Sequence, residues 1–123
     1  MLYTASFYDP QHWEGQCYRV SRAHPRGKKA QWELAPFLYP DRELLNSYRA
    51  GTVDFADLTL EYRRGLDVNY EQDGRFQDWV GGLASAGDLT LLCFERGDKL
   101  CHRRVAAEWL LERAPGIVCG YLR

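Results

Sequence analysis

Five side chains capable of acid–base, nucleophilic or anion-binding chemistry lie close together in the last third of the chain. Cys93 and Glu95 end an apolar run, and Cys101, His102 and Arg103 follow after a short loop. A thiolate is a nucleophile, and a carboxylate or an imidazole transfers protons. A guanidinium binds phosphate or carboxylate through its planar donors. We therefore predict a site with Cys93, Glu95, Cys101 and His102 as catalytic candidates and Arg103 as an anion ligand.

The elements expected around these residues support that prediction. The apolar run 89–94 is typical of a central strand covered on both faces. Cys101 then lies at the start of a helix, where free amide groups and the helix dipole favour an anion and lower a thiol's pKa. In a plainer interpretation Cys93 is a core residue, His102 hydrogen-bonds the loop, and Arg103 is solvated.

A second set of polar residues follows an earlier predicted strand, residues 17–21. Ser21, Arg22 and Arg26 lie in a stretch, residues 19–29, with five basic residues and no acid. This pattern indicates either a phosphate-facing surface or a solvated loop. If the strand is parallel to the central one, Arg22 and Arg26 face the same site as Cys101, and if it is antiparallel they point away.

Spacing excludes two familiar enzyme sites. A thiol phosphatase loop has five residues between its Cys and its Arg, whereas here that spacing leads from Cys93 to Lys99 and from Cys101 to Ala107. The Gly-x-Ser-x-Gly motif of serine hydrolases is absent. A metal bound by Cys93, Cys101 and His102, with Cys119, has suitable ligand types but no C-x-x-C motif. We therefore predict no cofactor and no metal, and keep a structural metal as an alternative.

Composition favours one small globular domain over residues 1–123. The chain is 46% hydrophobic, and its net charge of -1 gives no overall field towards nucleic acid or membranes. The first residues do not resemble a secretory signal, and no apolar segment has membrane-spanning length. We therefore expect a cytoplasmic protein with reduced thiols.

Periodicity predicts an α/β fold, with a mainly parallel sheet flanked by helices and a C-terminal βαβ unit. Helices are predicted to begin near Asp41 and Asp54, the first ending at Gly51. A third carries Phe76, Trp79, Val80 and Leu83, and a fourth buries Val105, Ala106, Trp109 and Leu110. Strands are predicted at residues 2–7, 17–21, 89–94 and 117–122, and a long ordered loop at 22–39.

These residues also carry a family resemblance. The segment Leu91-Leu92-Cys93-Phe94-Glu95, then Cys101-His102-Arg103, then Ala106 and Leu110, resembles the C-terminal signature of the uncharacterised family catalogued as domain of unknown function 488. Ser21-Arg22 with Pro25 resembles that family's early loop. The resemblance implies a small α/β fold with site residues at Ser21, Arg22, Cys93, Glu95, Cys101, His102 and Arg103, and it implies no established activity.

Three functions fit the sequence, and they leave open whether the protein is an enzyme. The leading hypothesis is an enzyme acting on a phosphorylated or nucleotide-type small molecule. The rival is a non-catalytic nucleotide or nucleic-acid binding module, in which Tyr18 and Trp32 stack on bases. The third is a metal-stabilised structural domain.

Overall fold

A computed structural model of the protein describes residues 1–96 and 101–123. Within these ranges, five strands form one sheet with four α-helices. The strands are β1 (Leu2–Ser6), β2 (Gln16–Arg19), β3 (Glu33–Leu34), β4 (Leu89–Cys93) and β5 (Cys119–Leu122). The helices are α1 (Arg42–Arg49), α2 (Phe55–Gln72), α3 (Gly74–Gly82) and α4 (His102–Arg113), and 3-10 turns cover Pro10–His12, Pro36–Leu38 and Leu83–Ser85. None of the described helices combines the length and the apolar composition that crossing a bilayer requires.

Aspartate caps set the starts of the first two helices, as predicted. The Asp41 side chain accepts a hydrogen bond from the Leu44 amide at 3.0 Å, and the Asp54 side chain does the same for the Asp57 amide at 2.8 Å. Each bond satisfies an amide that has no partner within its helix. Gly51 follows α1 with φ of +81°, a conformation that favours glycine and ends the helix.

The sheet is entirely parallel and has the strand order β3-β2-β4-β1-β5. This confirms the predicted α/β class and the parallel sheet. Every residue of β4 is buried, because β2 and β1 flank the strand and side chains cover both of its faces. Strands β4 and β5 are parallel as predicted, but β1 lies between them. The consequence for function is that the carboxyl ends of all five strands lie along one edge.

Two predicted elements differ from the structure. The segment 22–39 is not wholly a loop, because β3 pairs with Tyr18 and Arg19 of β2 as an edge strand. A two-residue strand is too short to show a period of two in sequence. The third helix ends at Gly82 and passes into a 3-10 turn, as expected where two glycines weaken a helix.

The core has two parts, one on each side of the sheet. On one side Leu91 and Cys93 pack with residues of α2, α3 and α4. On the other side Leu92 packs with Phe7 and Trp32. Because successive residues of a strand point to opposite faces, both faces of β4 must be covered. Four of its five residues are apolar, and the buried Thr90 hydroxyl donates a hydrogen bond to the Glu14 carbonyl.

Candidate functional site

The two groups of site residues predicted from sequence meet at the carboxyl edge of the sheet. Strand β2 runs parallel to β4, with Arg19 paired to Leu92. Ser21 and Arg22 therefore leave the sheet beside Glu95, which follows β4. The sequence left open whether β2 runs parallel or antiparallel to β4, and the structure shows that it runs parallel. Ligands of open parallel sheets commonly bind at this edge.

A compact thiol cluster, consisting of Cys93, Cys101, His102 and Glu95, lies where β4 ends and α4 begins. Cys93 is the last residue of β4 and Cys101 is the N-cap residue of α4. The structure joins their sulfur atoms as a disulfide. Glu95 Oε2 lies 2.9 Å from Cys101 Sγ and 3.4 Å from Cys93 Sγ.

The structure thus brings the Cys93 and Cys101 sulfur atoms together, whereas Cys17 and Cys119 are free, and the expectation of reduced thiols stays a prediction. The pairing arises because the end of the strand and the cap of the helix converge on the same side of the sheet. Eight residues separate the two cysteines in sequence, so spacing alone did not indicate their contact.

His102 is buried and hydrogen-bonded to main chain. Its Nε2 lies 2.9 Å from the carbonyl oxygen of Val20, so Nε2 carries the hydrogen and donates it. Its Nδ1 then presents a lone pair towards Cys101 Sγ, 3.7 Å away. Burial lowers the pKa of His102 to about 4, so the ring is neutral at neutral pH. This hydrogen bond joins the start of α4 to the residue that follows β2, and the catalytic role of His102 stays a prediction.

Arg103 is also buried, with 1% of its surface exposed. Its Nη1 donates to Cys93 Sγ at 3.1 Å and to the main-chain oxygen of Glu95 at 2.8 Å, and its Nη2 donates to the main-chain oxygen of Arg123 at 2.9 Å. Burial lowers its pKa to about 10, which leaves it charged at neutral pH. The solvated interpretation of Arg103 is wrong. A cleft of about 150 Å³ that also contacts Ser6 and Asp9 reaches its side chain.

A separate pocket of about 280 Å³ collects three exposed arginines at the same edge of the sheet. We call it the arginine pocket, and it is lined by Ser21, Arg22, Ala23, Arg42, Leu45, Asn46, Arg49 and Phe94. Sequence reasoning missed Arg42, Asn46 and Arg49. These residues recur at positions i, i+4 and i+7 of α1, so they share one helix face. That spacing was the available signal, but nothing in the sequence indicated which strand end the face would meet.

Glu95 connects the arginine pocket to the thiol cluster. Its Oε1 lies 3.9 Å from Arg49 Nη2, while its Oε2 faces the two sulfur atoms. The carboxylate is partly open, with 23% of the side chain exposed. Glu95 is thus the predicted catalytic candidate that faces both the pocket and the thiols.

A second hollow adjoins the arginine pocket across the Phe94 ring. It has a volume of about 340 Å³ and is lined by Tyr8, Phe94, Glu95 and Arg96. We call it the Tyr8 hollow. The guanidinium of Arg96 lies 6.0 Å from the Tyr8 ring centre. Two aromatic rings and a carboxylate therefore lie beside the arginines.

Other predicted binding residues lie apart from this site. Arg26 is exposed and is not among the residues that line the arginine pocket. Tyr18 packs edge-on against Trp79, and Trp32 packs against Phe7 on the opposite side of the sheet. Tyr18 and Trp32 therefore do not form one stacking surface.

The comparison with protein families agrees with the resemblance seen in the sequence. Residues 2–114 match a family model whose description is "Active DUF488-N3 subclade". The matched range includes every site residue named above except Arg123. No curated protein and no solved structure matches the chain significantly.

Proposed function

This chain belongs to the DUF488 family, within the DUF488-N3 subclade described as active, and from that premise we propose that it is an enzyme acting on a phosphorylated, nucleotide-type small molecule in the arginine pocket. One observation carries the proposal. Three arginines, Arg22, Arg42 and Arg49, line a single pocket, and the Glu95 carboxylate lies 3.9 Å from Arg49 Nη2.

The charge of this lining selects an anion. The lining carries three positive charges, of which only Arg49 lies near a described carboxylate, and a dianionic phosphate complements this charge. Guanidinium groups bind phosphate through paired, charge-assisted hydrogen bonds. The Arg22 guanidinium is oriented by a hydrogen bond, which its Nε donates to the Pro40 carbonyl at 3.0 Å. The remaining nitrogen donors of Arg22 stay available to the ligand.

The aromatic rings beside the arginines favour a ligand with a base attached to its phosphate. Phe94 lines both the arginine pocket and the Tyr8 hollow. A phosphate bound to the arginines thus has space next to Phe94 and Tyr8 for a flat ring. Stacking of a base on an aromatic side chain contributes about 1–3 kcal/mol.

We assign the chemical step to Glu95. Its Oε1 faces Arg49 and the pocket, where it accepts a hydrogen bond from a ligand hydroxyl or amine and acts as the general base. Cys93 and Cys101 are 0% and 2% exposed and are paired in this structure, so neither sulfur is offered to a ligand. The nucleophile role considered for these cysteines is not part of the proposal.

Calorimetric titration with adenosine monophosphate and with inorganic phosphate tests the binding. The substitutions Arg42→Ala and Arg49→Ala each remove an exposed charge and should weaken affinity about tenfold or more. Arg75→Ala removes an arginine that is 88% exposed on α3 and should leave affinity unchanged. Absence of wild-type binding at low salt, or an equal loss in Arg75→Ala, contradicts the proposal.

The catalytic part has its own test. Glu95→Gln preserves the shape of the side chain, so it should keep the affinity for adenosine monophosphate and lose turnover of a panel of phosphorylated nucleosides followed by NMR. Wild-type binding without turnover of any panel member would instead indicate a non-catalytic nucleotide-binding module. Binding only to single-stranded RNA, with a steep salt dependence, would indicate a nucleic-acid module.

A further inference from the structure

The thiol cluster contains more ligand chemistry than the proposed function uses. Cys93, Cys101 and His102 each offer one ligand atom, and these three atoms lie within 4.8 Å of one another. Glu95 Oε2 adds an oxygen within 3.4 Å of both sulfur atoms. Thiolate, imidazole and carboxylate are the three ligand types that zinc takes from proteins.

We propose that the reduced protein binds one Zn²⁺-class divalent ion through Cys93 Sγ, Cys101 Sγ, His102 Nδ1 and Glu95 Oε2. With four protein ligands the site is tetrahedral and leaves no position open to solvent. Cys93 lies at the end of β4, Cys101 and His102 lie at the start of α4, and all three are buried. It is distinct from the arginine pocket, and it shares with that pocket only the Glu95 side chain.

The histidine is already oriented as a metal ligand. Metal-bound histidines commonly donate their second ring nitrogen to a main-chain carbonyl, which fixes the tautomer and the ring orientation. In His102 the Nε2–H group does this to Val20, so the Nδ1 lone pair points towards Cys101.

The cluster supplies three ligand atoms within 4.8 Å of one another, and the Glu95 carboxylate reaches both sulfur atoms. With Zn–S bonds of about 2.3 Å and Zn–O bonds of about 2.0 Å, a tetrahedral site places sulfur and oxygen ligands about 3.5 Å apart. Glu95 Oε2 lies 2.9 Å and 3.4 Å from the two sulfur atoms. The Cα atoms of Cys93 and Cys101 are 7.6 Å apart. Rotation of the cysteine side chains therefore suffices to open a space for the ion between the sulfur atoms.

Buried charge also favours an occupied site. Two thiolates and one carboxylate carry three negative charges, and a divalent ion reduces them to one. The Arg103 guanidinium, with its Nη1 3.1 Å from Cys93 Sγ, is placed to neutralise that remaining charge. This gives the buried arginine an anionic partner, which a buried guanidinium needs.

Formation of the site begins with reduction of the Cys93–Cys101 disulfide. A dithiol reductant supplies two electrons and two protons and leaves as its own disulfide, and each cysteine becomes a thiol. The ion then displaces one proton from each thiol to solvent and forms two metal–sulfur bonds. Coordination through Oε2 leaves Glu95 Oε1 facing Arg49, so the proposed metal site and the proposed function use opposite oxygens of one carboxylate.

Cobalt titration of the dithiol-reduced protein, freed of excess reductant under anaerobic conditions, tests the site. We expect one equivalent of Co²⁺ to give the strong visible absorption of a tetrahedral cobalt–thiolate centre, and Zn²⁺ to displace it. The disulfide form should give neither signal. A reduced wild-type protein without stoichiometric cobalt–thiolate absorption, or an equal signal from the oxidised protein, overturns the proposal.

Cysteine variants give matched controls. Cys101→Ser should abolish the cobalt–thiolate spectrum, whereas Cys17→Ser and Cys119→Ser change the two free cysteines and should retain it. Loss of the spectrum in Cys119→Ser would overturn the assignment. If Cys101→Ser does not fold, Cys93→Ser in the same titration decides, because it also removes one of the two thiolates and should lose the strong cobalt–thiolate absorption. Arg42→Ala should bind cobalt normally, so failure of the arginine pocket and failure of the metal site are distinguishable.

Discussion

Arg49 and Glu95 approach to 3.9 Å across the carboxyl edge of the sheet, which places the end of α1 against the residue that follows the central strand. The two side chains belong to segments that are 46 residues apart in sequence. This contact places the arginine pocket, proposed to bind an anion, next to the acid–base candidate. It is also the arrangement on which the proposed function depends.

Phe94 should determine affinity for the base of a nucleotide. Phe94 lines both the arginine pocket and the Tyr8 hollow, and its ring packs edge-on against Phe7. Phe94→Leu keeps an apolar side chain but removes the stacking face. We expect affinity for adenosine monophosphate to fall about tenfold, in line with the contribution of one stacked base. Affinity for ribose 5-phosphate, measured by the same calorimetric titration, should not change. Equal losses for both ligands would show that Phe94 does not contact the base.

Tyr62 should stabilise the fold through a buried hydrogen bond. Its hydroxyl donates to the Leu38 carbonyl at 2.5 Å, and the residue is 3% exposed. Tyr62→Phe leaves that carbonyl without its partner and should lower the free energy of unfolding by about 1–2 kcal/mol. Chemical denaturation measures the change. Tyr70→Phe is the control, because the Tyr70 hydroxyl has no hydrogen bond to the described residues, and a loss equal to that of Tyr62→Phe would refute the assignment.

Asp67 should stabilise the protein at pH values above about 4. It accepts a hydrogen bond from Trp109 Nε1 at 2.9 Å and pairs with Arg113, which joins α2 to α4. The Trp109 hydrogen bond, with help from the Arg113 charge, lowers the pKa of Asp67 below its ordinary value of 3.8. Its stabilising effect is thus complete above that value and is lost as the pH falls through the lowered pKa.

Asp67→Asn tests this pH dependence. The substitution should reduce the free energy of unfolding by about 1 kcal/mol at neutral pH, and the difference from wild type should disappear in acid. Urea denaturation at a series of pH values measures both effects. Asp78→Asn changes an exposed carboxylate on α3 and serves as the control. A difference that persists unchanged in acid would mean that the Asp67 charge is not the cause.

Gly15 should not tolerate a side chain. Its φ is +63°, and a Cβ added there would overlap the main-chain oxygen of Asp88. Gly27 has a similar φ of +78° with open space around it. We therefore expect Gly27→Ala to cost about 1 kcal/mol, from its backbone conformation alone, and Gly15→Ala to cost about 3 kcal/mol or more. Equal melting temperatures for the two variants would contradict the close approach to Asp88.

The sequence by itself predicted the elements that depend on local interactions. The aspartates before α1 and α2, Gly51 after α1 and the apolar run of β4 mark these elements directly, because caps and periodicity are properties of neighbouring residues. The same reasoning located Cys93, Glu95 and Cys101 near one another. A short connection between a strand and the following helix keeps the end of the strand close to the start of the helix.

Only the tertiary structure decided which of these side chains face a ligand. The direction of β2 placed Arg22 at the site, and the packing of α1 brought Arg42 and Arg49 to the end of β4, a contact between segments distant in sequence. Sequence reasoning assigned Arg103 to the ligand, whereas in the structure its buried guanidinium donates to Cys93 Sγ and to main-chain oxygen atoms. Residue type and spacing specify what chemistry is available, whereas exposure and long-range contact arise only when the whole chain packs.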